Sequence, residues 1–355
     1  MNGVSLFANV GIAETYIHNH GINIVVANEL LKNRAAFHQE SHPNCKMIQG
    51  DITNPQIYNA VLSYAKEKKC DFLIATPPCQ GMSIAGKMQE NDPRNTLIKF
   101  VVEMIKALKP THALIENVQG VLRTYISLNG QKIKIVDYVN NELTPLGYFI
   151  NPVVVDAADY ATPQTRKRAI FLISKIALWN PPKKMKKISV KDAIGHLPSL
   201  ESGESSDVLY HYAKKHNQRH TSVLRHTPSG KTALQNAIHY PKKEDGSRIK
   251  GFATTYKRIE WDKPAPTITM ANGSISSQNN VHPGKQKEDG TYSDARVLTL
   301  KEIFILTGLP EDWHPPKWAS ENLIRHAIGE GVPPKLIDAL LSALPKKLAK
   351  KEGKK

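Results

Sequence analysis

Cysteines and long apolar runs are scarce in this sequence of 355 residues. The cysteines are Cys45, Cys70 and Cys79, which form no Cys-x-x-Cys pair and leave one residue over. Neither a disulfide framework nor a zinc site is indicated, and we expect no metal. Because no run of about 18 apolar residues occurs and the N-terminus lacks a secretion-signal pattern, we expect a soluble, cytoplasmic protein with no membrane partner.

Acidic residues are also few, with 32 Asp and Glu against 48 Lys and Arg, a formal net charge of +16. Residues 346–355 contribute +5 of this as a basic tail, which leaves +11 for the rest of the chain. Such an excess suggests a polyanionic partner. The stretch 211–231 holds five Lys or Arg and four His without an acid, and is either a nucleic-acid contact or a solvated loop. The polar run 272–280 is a second contact candidate or a connecting loop.

The first half of the chain alternates β-rich runs with helical patterns. Asn54-Pro55 is typical of a helix start, and residues 95–108 carry apolar residues at helical spacing. Alternation of this kind predicts a mostly parallel sheet covered by helices on both faces. The predicted strands are Val4 to Ala8, Ile22 to Ala27, Asp71 to Ala75, His112 to Ile115, Pro152 to Val155 and Ala169 to Ile173.

Four reactive or acidic residues follow strand patterns, namely Glu29, Asp51, Cys79 and Glu116. We expect them to line one edge of the sheet, because ligands bind beyond the carboxyl ends of parallel strands. Cys79 lies in the segment TPPCQGMSIAG, where two prolines prevent the strand from continuing. This pattern indicates a reactive thiol on a loop, although a free cysteine is also often buried and inert.

Together these residues resemble the DNA (cytosine-5) methyltransferase family of bacterial restriction-modification systems. The motifs occur in the family's order as PPCQG around Cys79, IENV around Glu116, QTRKR at 164–168, RVLTLKEIFILTGLP at 296–310 and GEGVPP at 329–334. The resemblance implies an α/β, Rossmann-like fold with a mixed, mostly parallel sheet and a smaller loop-rich domain. It places a catalytic domain at 1–200 with 318–345, a target-recognition domain at 201–317, and the basic tail at 346–355.

The resemblance also implies the chemistry. Cys79 is expected to add to C6 of a cytosine flipped out of the duplex, which makes C5 nucleophilic. Glu116 is expected to hydrogen-bond N3 of the base, since partial burial favours a protonated carboxyl. Arg168 or Arg166 is expected to hold the charge that develops on O2.

S-adenosyl-L-methionine is the implied cofactor. The glycine loop is Phe7 to Ile12 and departs from the family pattern, because Asn9 and Ile12 replace glycines and Ser5 replaces an acid. Asn tolerates the left-handed conformation, so we expect the turn at Asn9 to survive, whereas Ile12 is harder to accommodate. The expected cofactor-binding residues are Phe7, Gly11, Glu29, Asp51, Ile52, Pro78, Leu97, Glu330 and Val332.

Double-stranded DNA is the implied partner, with a cognate restriction endonuclease acting separately. The alternatives are a tRNA cytosine-5 methyltransferase and a non-catalytic DNA-binding protein of the same fold. The expected DNA-binding residues are Gln80, Ser83, Gln164, Lys214, Lys215, Arg219 and Arg225.

Overall fold

The computed structural model describes residues 1–78, 93–128 and 130–346. Cys79, Gln80, Ser83 and the tail from residue 347 lie outside the described residues. The chain forms two compact units. Unit 1 comprises 1–155, 167–183 and 337 onward, and unit 2 comprises 156–166 and 184–336. Residues 184–200 and 318–336, which the sequence groups with the catalytic domain, belong to unit 2.

Unit 1 is built on a seven-stranded sheet of order β3-β2-β1-β4-β5-β9-β8. The pairs among β1 to β5 are parallel, whereas β9 runs antiparallel to β5. The prediction of a mixed, mostly parallel sheet is therefore confirmed. The strands are β1 Asn2–Leu6, β2 Asn23–Glu29, β3 Lys46–Gln49, β4 Cys70–Ala75, β5 His112–Asn117, the hairpin β6 Tyr125–Leu128 and β7 Gln131–Lys134, β8 Phe149–Asp156 and β9 Lys167–Ser174.

The strands differ from the sequence prediction in several bounds and in the unpredicted β6–β7 hairpin, and the differences at β1 and β3 have a local cause. Strand β1 ends at Leu6 rather than Ala8, because Phe7 adopts a left-handed φ of 58° that an extended strand does not allow. Strand β3 was not predicted, since its four residues show neither a buried run nor a clear alternation of buried and exposed positions.

The helices of unit 1 bury their apolar faces on this sheet. In α2, the Asn54 side chain accepts a hydrogen bond from the amide of Gln56, which confirms the predicted start of the helix. In α3, Val101, Val102 and Ile105 are fully buried in the main hydrophobic cluster with β4 and β5. The helices are α1 Lys32–Ser41, α2 Pro55–Glu67, α3 Leu97–Leu108 and α4 Ile135–Leu143, and α9 Pro334–Ser342 begins in unit 2 and ends in unit 1.

Unit 2 has little regular structure. Its helices are α5 Val190–Ile194, α6 Gln218–Arg225, α7 Leu300–Thr307 and α8 Glu321–Glu330. The long loops between them are joined by isolated β-bridges and enclose a small apolar cluster around Leu224, Val281 and Val297. Such loops leave many buried backbone carbonyls without a sheet or helix partner, so other donors must supply their hydrogen bonds.

Buried arginines supply those donors. The Arg258 guanidinium is fully buried and donates to the carbonyls of Leu224, His282, Ser293 and Asp294 at 2.7–3.4 Å. Arg296 donates to the Leu200 and Val297 carbonyls and to the carboxylates of Asp294 and Glu302. Arg325 donates to the Leu298 carbonyl and to the side chains of Asn272 and Glu321. Loops far apart in sequence are thereby joined through side chains rather than through strands.

Candidate active site

The carboxyl ends of β3, β2, β1, β4 and β5 lie next to one another along one edge of the sheet in unit 1. This edge carries Asp51 after β3, Glu29 at the end of β2, Phe7 after β1 and Glu116 as the penultimate residue of β5. The position of Glu116 differs slightly from the prediction, because it lies within the strand rather than after it.

The exit from β4 towards Cys79 is fixed by hydrogen bonds on both sides. The Thr76 amide and hydroxyl donate to the carbonyls of Leu6 and Phe7 at 3.2 and 2.9 Å. The Asn117 amide donates to the Pro77 carbonyl at 3.0 Å, in a buried position at the end of β5. Cys79 itself is outside the described residues, and these contacts fix the chain only as far as Pro77, beside the strand of Glu116.

Glu116 and Arg168 form the charged centre of this edge. The Arg168 Nε lies 2.8 Å from Glu116 Oε1, and the two side chains are only 13% and 9% exposed. The antiparallel pairing of β5 with β9 aligns Glu116 with Ile170, two residues beyond Arg168. Because burial limits screening by water, this carboxylate and guanidinium have a defined mutual orientation.

Arg166 and Gln164 occupy a different environment in unit 2. The Arg166 guanidinium donates to the carbonyls of Ile268, Gly329 and Glu330 at 2.9–3.1 Å and is 2% exposed. Gln164 is 1% exposed, donates to the Leu306 carbonyl and accepts from the Ile268 amide. These contacts give both side chains a structural role, where the sequence suggested O2 stabilisation for Arg166 and DNA contact for Gln164.

The loop after β1 has the left-handed turns that the sequence suggested for it. Asn9 has φ 51° and Gly11 has φ 83°, so the expectation that Asn9 keeps the turn is confirmed. Ile12 starts a short 3-10 turn, Ile12–Glu14, and its side chain is buried. The Ser5 hydroxyl donates to the Glu14 carboxylate at 2.5 Å, so an acid is present beside this position although residue 5 is not acidic.

Glu29 is held by the loop itself. Its two carboxylate oxygens accept the amides of Asn9 and Leu31, both at 2.9 Å, and the side chain is buried. Each oxygen has a second lone pair available for a ligand hydroxyl. A fixed carboxylate beside a left-handed loop fits the ribose end of S-adenosylmethionine.

The other expected cofactor residues divide between the two units. Asp51 is exposed and accepts the amide and hydroxyl of Thr53, while Ile52 is buried in the main cluster. Pro78 and Leu97 are partly buried in unit 1. Glu330 is partly buried and Val332 is buried in unit 2.

The basic stretch 211–231 separates into internal and exposed residues. Lys215, Arg219 and Arg225 are exposed, and Lys214 is half-buried. His211 is buried between the Thr299 hydroxyl and the Pro198 carbonyl. Four cations on and before α6 define the basic surface of unit 2, namely Lys214, Lys215, Arg219 and Arg225.

The polar run 272–280 closes on itself. The Asn280 side chain donates to the carbonyls of Asn272 and Ser274, and both asparagines are at most 2% exposed. Asn272 and Asn280 therefore stabilise a connecting loop from inside, and neither side chain is exposed for contact with DNA.

Sequence reasoning did not assign roles to Asn117 or to Arg258, Arg296 and Arg325 of unit 2. Asn117 follows Glu116 directly, so an amide beside a catalytic acid was a usable signal. Nothing in the local sequence distinguishes Arg258 from an exposed arginine, since its partners lie 24–36 residues away.

A mostly parallel sheet with an oriented carboxylate and a buried charged pair at the carboxyl ends of its strands is typical of an α/β enzyme that binds a nucleotide cofactor. The chain belongs to the C-5 cytosine-specific DNA methylase family, whose match covers residues 1–346. It is 48% identical over 352 residues to the type II methyltransferase M1.HgaI of Avibacterium volantium, covering 95% of this chain and 96% of that protein. It is 27% identical to M1.HphI of Haemophilus parahaemolyticus, covering 97% of this chain and 86% of that protein.

Solved structures agree in fold. A mutant of Spodoptera frugiperda DNMT2 matches with a TM-score of 0.65 at 14% identity, over 97% of this chain and 99% of that one. Schizosaccharomyces pombe Dnmt2 matches with a TM-score of 0.61 at 14% identity, over 97% and 98%.

The family and the sequence relatives make this chain a type II DNA (cytosine-5-)-methyltransferase of a restriction-modification system. S-adenosylmethionine is the family's methyl donor, and DNA is its substrate. This outcome confirms the leading interpretation over the tRNA and non-catalytic alternatives. Within the described ranges, no helix combines the length and apolar character needed to cross a membrane.

Proposed function

We propose that this chain methylates C5 of a cytosine within a short, specific sequence of double-stranded DNA. In this proposal it is the modification half of a restriction-modification system whose cognate endonuclease acts separately. The target atom is inaccessible in stacked DNA, so the base is flipped into the site before reaction. The observation that carries the proposal is the buried Glu116–Arg168 pair beside the anchored strand exit that leads to Cys79.

Cys79 is the nucleophile in this proposal. Its thiolate sulfur bonds to C6, the C5–C6 electron pair becomes available at C5, and negative charge moves towards O2 and N3. After methylation, a base removes the C5 proton and the C6–sulfur bond breaks, which restores the thiolate. S-adenosylmethionine supplies the methyl group on its sulfonium. Gln80 and Ser83, in the same segment, are proposed DNA contacts.

Arg168 rather than Arg166 is the proposed O2 partner. Arg168 is held against Glu116 by a 2.8 Å contact, so the guanidinium can donate to O2 while Glu116, once it carries a proton, donates to the neighbouring N3. Glu116 is the proposed partner of N3. Arg166 already donates to three backbone carbonyls, so we propose that it positions the C-terminal end of α8, which contains Gly329 and Glu330.

The proposed cofactor contacts follow the sheet edge. Glu29 holds the ribose hydroxyls because its carboxylate is already oriented by two amides. Asp51 and Ile52 hold the adenine, and the loop from Phe7 to Gly11 covers the amino-acid end. Pro78, Leu97, Glu330 and Val332 complete the proposed set.

Unit 2 supplies target recognition in this proposal. The exposed cations of its basic surface are the proposed contacts to DNA phosphates. Such contacts position the protein on the duplex but carry no sequence information. The region 201–317 is accordingly the proposed target-recognition domain, with 1–200 and 318–345 as the catalytic domain. Gln164 is buried as described above, so we propose it as a support for this region.

A mechanism-based trap tests the proposal. In duplex DNA that carries 5-fluorocytosine, C5 has no proton to lose, so the Cys79–C6 bond persists after methyl transfer. We expect a covalent protein–DNA complex that survives denaturing electrophoresis and requires S-adenosylmethionine. Cys79→Ala should abolish the complex while retaining DNA binding.

Cys70→Ala is the matched control, because burial raises the pKa of the Cys70 thiol to about 11 and leaves it unreactive. This variant should form the complex as the unchanged chain does. A complex that persists in Cys79→Ala would overturn the nucleophile assignment.

A further inference from the structure

A buried cluster in unit 1 lies next to the cofactor loop but has no part in the chemistry above. Glu14 ends the 3-10 turn after that loop, and His38 and His42 are one helical turn apart at the end of α1. Each residue offers one donor atom, and these atoms all lie within 4.8 Å of one another. Glu14 and His38 are buried, and His42 is partly buried.

The cluster has the donors of a metal site. One carboxylate and two imidazoles are a zinc ligand set that leaves a fourth position open. Among the described residues, His38 Nδ1 has no hydrogen-bond partner although the side chain is fully buried. A polar ring atom left unsatisfied in the interior costs free energy unless a ligand compensates it.

A cavity beside the cluster gives an ion access to it. The cavity has a volume of about 570 Å³ and is lined by Glu14 and His42, together with Ser41 and Cys45. The hydroxyl of Ser41 likewise lacks a partner in the described part of the chain. Tetrahedral zinc holds its donors roughly 3.3 Å apart, so donors that lie up to 4.8 Å apart would draw together on binding. His42 is only partly buried at the end of α1, which leaves its ring room to shift.

We propose that Glu14, His38 and His42 bind a divalent zinc-like cation, with a water from the cavity as the fourth ligand. The ion would join the end of α1 to the turn after the cofactor loop. Gly11 lies directly against this cluster, since a Cβ there would be 2.1 Å from His42 Nε2. The proposed site therefore adjoins the cofactor loop at Gly11, and none of its three ligands belongs to the segment from Phe7 to Ile12.

Zinc titration of the full-length, metal-stripped chain against a chelating dye tests this site. We expect one tightly bound equivalent. Glu14→Gln and His42→Ala should each weaken binding by at least about 100-fold, which exceeds the effect of losing an outer contact. His18→Ala is the matched control, because His18 lines the same cavity, is exposed and is not in the cluster. Its affinity should be unchanged.

Cobalt provides a second readout that does not depend on activity. Co²⁺ in the unchanged chain should give the strong visible absorption of a tetrahedral site, and His42→Ala should lose it. If Glu14→Gln fails to fold, His42→Ala decides the question alone. Absence of a stoichiometric equivalent in the unchanged chain, or equal affinity in His42→Ala, would overturn the proposal. Either result leaves the methyltransferase mechanism unaffected.

Discussion

The two units are stabilised by different means. Unit 1 is held by strand ladders and a large apolar cluster, whereas unit 2 is held by guanidinium groups that bind scattered carbonyls. Arg166, Arg258, Arg296 and Arg325 are at most 2% exposed, and all four act within unit 2. A high net charge therefore overstates the charge available to DNA, because part of it is internal structure.

The strongest test of this difference is Arg258→Met. It would leave the carbonyls of Leu224, His282 and Ser293 without their donor, so we expect a loss of about 3–5 kcal/mol in the free energy of unfolding of unit 2. Arg258→Lys should recover little of the lost stability, since one ammonium group cannot reach all of these acceptors. The free energy of unfolding is measured by urea unfolding followed by tryptophan fluorescence. The exposed Arg219→Met should change stability by less than about 0.5 kcal/mol, and equal losses would refute the distinction.

Unit 1 should respond to loss of volume instead. Phe171 is fully buried in the main cluster on β9, so Phe171→Ala should cost about 3 kcal/mol through lost burial and a cavity. No charge is involved, so the loss should be the same from pH 5 to pH 8 in calorimetry. A loss that varied strongly over this range would show that ionic contacts also hold this cluster.

Acid should weaken unit 2 through His282. Burial lowers the pKa of His282 to about 4, and its Nδ1 accepts the Gly284 amide, which requires the neutral ring. The folded pKa is below the ordinary 6.5, so the stabilising contribution is complete above pH 6.5 and is lost as pH falls towards 4. The contacts of 3.6–3.7 Å to Glu302 and Asp294 are therefore not ion pairs at pH 7.

We expect His282→Gln to remove on the order of 2 kcal/mol of this pH dependence, as measured by unfolding between pH 4 and 7. The matched change in unit 1 is His112→Gln, because burial also lowers the pKa of His112 to about 4. Its effect should appear in the unfolding of unit 1. An unchanged pH profile in His282→Gln would contradict the assignment.

The smallest expected effect concerns the exposed cations. Arg219→Gln removes one proposed phosphate contact, so DNA affinity should fall modestly and the salt slope by about 1, with stability unchanged. Fluorescence anisotropy at several salt concentrations measures both. A salt slope that stayed the same would exclude Arg219 from the interface.

Sequence patterns predicted unit 1 well because its strands and helices are local and periodic. The cap at Asn54, the buried face of α3 and the left-handed turn at Asn9 each follow from neighbouring residues. The end of β1 was misplaced because the left-handed φ of Phe7 has no signal in an apolar side chain.

Unit 2 was less predictable because its contacts are distant in sequence. The sequence assigned Gln164 to DNA contact and Arg166 to O2 stabilisation, yet the hydrogen-bond partners of both side chains are about 100 to 160 residues away and both are buried. The Glu14, His38 and His42 cluster was also missed. Cysteine spacing carries no information about these residues, and Glu14 is brought to α1 only by the fold.

Methyl transfer to DNA is the most direct test of the proposed reaction and of Cys79 as its nucleophile. Labelled S-adenosylmethionine would be incubated with unmethylated genomic DNA or with tRNA, followed by nucleoside analysis, using the unchanged chain, Cys79→Ala and Arg168→Lys. The proposed mechanism predicts 5-methylcytosine in DNA with the unchanged chain and none with Cys79→Ala. With Arg168→Lys, we expect the rate of methylation to fall by roughly 100-fold. Label in tRNA but not in DNA, or 5-methylcytosine formed by Cys79→Ala, would contradict it.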